Sequence, residues 1–123
     1  MKLKRKIYEK LSEWKKTSSG KTALLIEGAR RIGKSYIAQD FASNEYKSFL
    51  HIDFSEISDI VKGIFNNNKD NLDIFFNKLS IYYDIDLYTR ESLIIFDKIQ
   101  LYPIARNFKD VHGGHRIVNI SCI

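Results

Sequence analysis

The chain has 123 residues, 44% of them hydrophobic and 28% charged, with a net charge of +5 at pH 7 and a single cysteine, Cys122. That length suits one domain with its own core, and one cysteine excludes an internal disulfide and fits a reducing compartment. No apolar run approaches the roughly 20 residues of a membrane span, and the basic start lacks the apolar segment of a secretory signal, so a cytoplasmic location without membrane contact is expected.

The excess charge sits at the start. Residues 1–16 carry seven Lys or Arg against Glu9 and Glu13, and the rest of the chain is neutral. Leu3, Ile7, Leu11 and Trp14 recur on one face, which predicts an amphipathic helix with a basic outer side. A stripe of four apolar residues is what docking onto a domain needs, although a nucleic-acid contact or a membrane-surface helix fits the same charge pattern. Thr17 to Gly20 reads as the turn that follows. Residues 1–20 are thus read as a basic helix and linker, and 21–123 as the domain proper.

Thr22 to Ser35 comes next. Ala23 to Ile26 is a short apolar run suited to a buried parallel strand. Gly28, Gly33, Lys34 and Ser35 occupy every defined position of the G-x-x-x-x-G-K-[ST] phosphate-binding loop. Glycines let the backbone curl so that successive N–H groups point at phosphate oxygens. The helix that begins there adds its unpaired N–H groups and its positive dipole end. Gly28, Ala29, Arg30, Arg31, Ile32, Gly33, Lys34, Ser35 and Tyr36 are therefore the expected nucleotide-binding segment. Lys34 is expected to reach the β- and γ-phosphates of ATP, and the Ser35 hydroxyl to ligate Mg²⁺. Ile37, Ala38, Phe41 and Ala42 then recur at helical spacing.

Ser48 to Phe54 reads as a second strand. Ser55 stands where a helix N-cap is expected, ahead of an apolar face of Ile57, Ile60, Val61, Ile64 and Phe65, and Asn66 to Asn68 stops that helix. Asn71 is a second cap, for a helix with Leu72, Phe75, Phe76, Leu79 and Tyr83 on one face. The aromatic set Phe75, Phe76, Tyr82, Tyr83 and Tyr88 reads as core and interface packing rather than a base-stacking platform. Asp53, closing the second strand, is expected to cap the following turn; a role near a metal or an attacking water is the alternative.

Leu93 to Asp97 is an apolar run ending in Asp. Downstream of a phosphate-binding loop this is the Walker B pattern, in which Asp97 holds Mg²⁺ through water. Ligands sit outside the carboxyl ends of parallel strands, which brings Asp97 to Lys34 and Ser35. The expected metal-binding residues are Ser35 and Asp97.

Glu27 to Ser35, Ile52 to Phe54 and Arg90 to Asp97 together resemble prokaryotic AAA-type ATPases, a family whose ATPase domain precedes a C-terminal domain of unknown function. The resemblance covers about residues 3–106. It implies a three-layer α/β P-loop sheet, here preceded by the amphipathic helix, with a sensor strand between the P-loop strand and the Walker B strand. It also implies Mg²⁺-dependent ATP hydrolysis. Two features depart from the family. Its members carry Glu directly after the Walker B Asp, where this chain has Lys98. An ammonium of ordinary pKa near 10.4 cannot accept a proton at pH 7, so hydrolysis is expected to be weak or lost, and Lys98→Glu to raise it. The chain also stops 26 residues after Asp97, short of the family's arginine finger and C-terminal domain, so the sheet is expected to be incomplete on its C-terminal side.

The tail has its own pattern. Pro103 suits a first helical turn, Ile104, Phe108 and Val111 share a face, and Gly113 and Gly114 end the run. Arg116 to Ser121 is then expected to fill the sensor-strand slot, with Asn119 or Ser121 near the γ-phosphate. The far side of the P-loop strand is left as an open edge for a protein partner or a second copy. His112, His115 and Cys122 are too few and too irregular for a metal site. A non-catalytic nucleotide- or nucleic-acid-binding module and a small P-loop kinase are the other classes that fit; no acceptor site is legible for the kinase.

Overall fold

The computed structural model describes residues 2–18, 24–28, 33–88, 91–107 and 116–122, with side chains described over 5–17, 33–88 and 91–105. The elements run α1 (Lys2–Ser18), β1 (Leu24–Gly28), α2 (Lys34–Glu45), β2 (Ser48–Asp53), α3 (Asp59–Asn67), α4 (Leu72–Tyr83), β3 (Ser92–Asp97) and β4 (Arg116–Cys122). Two short 3₁₀ turns, Ile99–Leu101 and Pro103–Asn107, follow β3. This is a mixed α/β chain with a parallel sheet.

The four strands lie in the order β1-β4-β3-β2, every neighbouring pair parallel. The last strand of the chain therefore sits in the middle of the sheet, in the slot expected of it. Val118 aligns with Leu24 on one side and with Ile95 on the other. Among the described residues β1 and β2 are the edges.

β3 shows why such a strand reads as a continuous apolar run. All six of its residues are buried, and successive side chains alternate between two faces. Ile94 and Phe96 join Leu50 and Ile52 of β2 in a core with Val61 and Phe65 of α3 and Phe75, Phe76 and Leu79 of α4. Leu93 and Ile95 belong to a second core with Ile37, Ala38, Phe41 and Ala42 of α2 and Ile7, Leu11 and Trp14 of α1. The basic helix is thus a packing element. It is pinned to α2 by an edge-on Tyr8–Phe41 ring pair, centroids 5.4 Å apart, and by Lys15 Nζ donating to the Glu45 carbonyl at 2.7 Å. The Leu3 side chain lies outside the described residues.

Several boundaries differ from the sequence expectation. α1 continues through Thr17 and Ser18, and the Thr17 hydroxyl donates back to the Glu13 carbonyl at 2.9 Å. α3 is capped by Ser58, whose Oγ accepts from Val61 N at 3.2 Å, and not by Ser55. Ser55 is taken by Asp53, whose Oδ1 accepts from both its backbone N and its hydroxyl. Ile60, expected on the apolar face, is 66% exposed, while Val61 and Phe65 keep the core face. Asn71 caps α4 as expected, its Oδ1 accepting from Ile74 N at 3.2 Å. Pro103 opens a 3₁₀ turn, and the expected helix beyond it, with Phe108 and Val111, falls outside the described residues, as do His112, Gly113, Gly114 and His115. Among the described residues no helix is long and apolar enough to cross a membrane.

Candidate functional site

Because the sheet is parallel, β1, β3 and β2 end on the same side, at Gly28, Asp97 and Asp53. α2 begins on that side too. Its N-cap is Gly33, in the left-handed region at φ 73° and ψ 25°. A Cβ added there would meet nothing within 4 Å, so the backbone angle, not crowding, is what calls for glycine. The Gly33 carbonyl accepts the first helical bond, from Ile37 N at 2.9 Å.

Lys34 follows at once as the first residue of α2 and is only 3% exposed. A lysine this buried is uncommon and marks a position with a task beyond solubility. Ser35 comes next, half-buried. Tyr36 follows and is 64% exposed. Ala29, Arg30, Arg31 and Ile32, the interior of the expected loop, lie outside the described residues.

Asp97 closes β3 with its side chain 4% exposed, and it is brought to Ser35 as expected, but through a residue that sequence reasoning missed. His51 Nε2 lies 2.7 Å from Asp97 Oδ2 and 3.2 Å from Ser35 Oγ. Gln39, one turn along α2, donates to the same Ser35 oxygen at 3.2 Å. Burial pushes the Asp97 carboxyl upward, yet hydrogen bonding from His51 and Ser35 and the attraction of His51 outweigh it. Asp53 opposes them weakly, and Asp97 stays below the usual carboxylate range. It is an anion held ready in a nearly dry position.

A second cluster adjoins the first. Asp53 stands directly across from Asp97 in the β2–β3 register. Lys98, in the left-handed region at φ 58°, directs its ammonium at Asp53 Oδ2, 3.1 Å away, and at Ser55 Oγ, 3.3 Å away. Burial raises the Asp53 carboxyl, but the Ser55 hydroxyl and N–H, and then Lys98, bring it below its ordinary value. Asp53 therefore does cap its turn, and it anchors Lys98 as well. This changes the expectation for Lys98→Glu: a carboxylate at 98 would face the Asp53 carboxylate, so the exchange sets up a repulsion along with any gain in basicity.

The pair also gives a pH signature. A carboxyl with a lowered folded-state pKa contributes stability that is present above its unfolded value, near 3.9, and is lost as pH falls through the folded value. Lys98 is 37% exposed and Asp53 23%, so solvent screens the pair. Lys98→Met is expected to destabilise by less than about 1 kcal/mol at pH 7. Thermal melts of variant and native chain should draw together as pH falls from about 4 and converge only below the lowered folded-state pKa of Asp53.

With this geometry in view, a family model described as an AAA domain matches residues 20–110. The chain belongs to the AAA domain family. The match starts just before β1 and takes in α2, β2 and β3, so it contains Gly33, Lys34, Ser35, His51 and Asp97. Comparison with curated proteins and with solved structures gives no match. Membership in the AAA family implies nucleotide binding, in general of ATP. Among the described residues no group of three or more His, Cys, Asp or Glu side chains forms a metal cluster.

Proposed function

We propose that this AAA domain is a three-layer P-loop module that binds Mg²⁺·ATP and hydrolyses it slowly or not at all. The observation that carries this is the meeting of Ser35, from the first turn of α2, with Asp97, from the end of β3, at one atom of His51; the buried Lys34 directly precedes Ser35 in the chain. A hydroxyl and a nearly buried, ionised carboxylate are hard oxygen donors, the set Mg²⁺ prefers. The left-handed Gly33 and the first turn of α2 offer backbone N–H groups that have no acceptor within the helix and suit phosphate oxygens, and Gly28 closes β1 at the other end of the loop. A positive charge on Lys34 directed to the phosphates would be worth most where water is excluded. Mg²⁺ bound to Ser35 and Asp97 would neutralise phosphate charge. Slow turnover is supported by Lys98, which occupies the position after Asp97 with an ammonium already tied to Asp53 and Ser55. Neither partner is then a free base beside the site.

Competition against a fluorescent ATP analogue tests the reading. If backbone N–H groups and Lys34 hold the phosphates, ATP and ADP should displace the probe far better than AMP. Equal competition by AMP, or no probe binding, would count against it.

A further inference from the structure

Ser35, His51 and Asp97 come from three elements, α2, β2 and β3, and two separate contacts share the single atom His51 Nε2. Strand alternation explains how the imidazole arrives there. Phe49 packs into the core beneath α2, and His51, two residues on, emerges on the same face, as do Leu93, Ile95 and Asp97 of β3. The register places His51 opposite Ile95, one step back from Asp97, so its ring reaches forward to the carboxylate.

Each distance taken alone is an ordinary hydrogen bond. Together they match something else. In a six-coordinate divalent ion with donors at about 2.1 Å, neighbouring donors stand about 3.0 Å apart. The two observed separations from Nε2, 2.7 Å and 3.2 Å, bracket that spacing. The nitrogen stands, relative to each oxygen, where an adjacent donor of a common ion would stand. The His51 side chain is 23% exposed and Gln39 steadies Ser35 from along the helix; an entering ion would displace the Nε2 proton that now bridges to Asp97, its own charge replacing that hydrogen bond.

We propose that His51 is a third protein donor to the divalent ion of this site and that it shifts the preference from Mg²⁺ toward a first-row transition ion such as Mn²⁺. Mg²⁺ seeks oxygen and keeps its water, whereas an imidazole nitrogen adds affinity chiefly for transition ions. The inference rests on the proposed role of Ser35 and Asp97, takes Asp97 as a direct ligand rather than one acting through water, and adds a nitrogen to their oxygens. An imidazole that merely fills the place of the ion would have to withdraw before the ion entered. The two cases differ in sign, because removing a donor weakens binding and removing an obstacle strengthens it.

The test is pulsed electron paramagnetic resonance of Mn²⁺ bound to the full chain, alone and with ADP, in protein made with ordinary and with ¹⁵N-labelled histidine. A directly bonded histidine nitrogen should give a modulation that changes with the label, which separates it from any adenine nitrogen. His51→Ala should abolish that modulation and weaken Mn²⁺ binding by about tenfold or more, while Mg²⁺ affinity changes less. Tight Mn²⁺·ADP binding with no label-sensitive modulation, or tighter Mn²⁺ binding in His51→Ala, overturns the role of His51 and leaves the phosphate site standing. Failure of the native chain to bind Mn²⁺·ADP at all overturns both. The labelled native chain is informative even where the variant does not fold.

Discussion

Val118→Pro is expected to unfold the chain. Position 118 lies in the middle of β4, the strand that joins β1 to the rest of the sheet, and is aligned with Leu24 on one side and Ile95 on the other. Proline has no N–H to give to a ladder, and its ring is not tolerated in a central strand. Losing β4 would leave β1 with no strand beside it and open the β4-facing side of β3, whose six residues are all buried. Each buried backbone group left unpaired costs about 1–3 kcal/mol, and a small domain has only about 5–15 kcal/mol in total. Deleting residues 116–123 should act in the same direction. Circular dichroism melts report the outcome; a variant that melts cooperatively at the native temperature would show that β4 does not hold the sheet together.

The position of β4 was legible because the resemblance implies a strand between the P-loop strand and the Walker B strand, a sheet cannot leave that slot's neighbours with buried amides unpaired, and Arg116 to Ser121 had the composition to fill it. β1, α2 and β3 were legible for a related reason: a buried strand, a glycine-bounded loop and a second apolar run ending in Asp each leave a local signature. His51 left none. A histidine inside Ser48 to Asp53 looks like one more strand residue, and its meaning comes from register and face, which bring it to Asp97 across β2 and β3. The only available signal was its place two residues before Asp53 on the same side of the strand. The α3 boundary was missed because Ser55 and Ser58 both suit a cap, and the contest was decided by Asp53, which captures Ser55. Lys98 could be read as a missing base but not as the partner of Asp53, since its left-handed backbone is what swings the ammonium there.

The second large effect concerns Lys34. Replacing it with alanine is expected to weaken ATP binding by at least about a hundredfold. Two charge-assisted hydrogen bonds, one to each of the outer phosphates, contribute about 1.5–3 kcal/mol apiece, and every 1.4 kcal/mol is a factor of ten. The fold should survive, since Lys34 opens α2 and the helix is anchored farther along by Ile37, Ala38, Phe41 and Ala42. Alanine is also a good helix former. A variant that keeps its melting temperature and loses ATP locates the phosphates at α2. Unchanged affinity would move the nucleotide elsewhere.

Calorimetric titration of ATP into the native chain, with and without Mg²⁺, puts the central claim to its most direct test. One saturable site whose affinity rises when the divalent ion is present is the result expected of Lys34, Ser35 and Asp97 acting together. Absence of saturable binding in both titrations would contradict it.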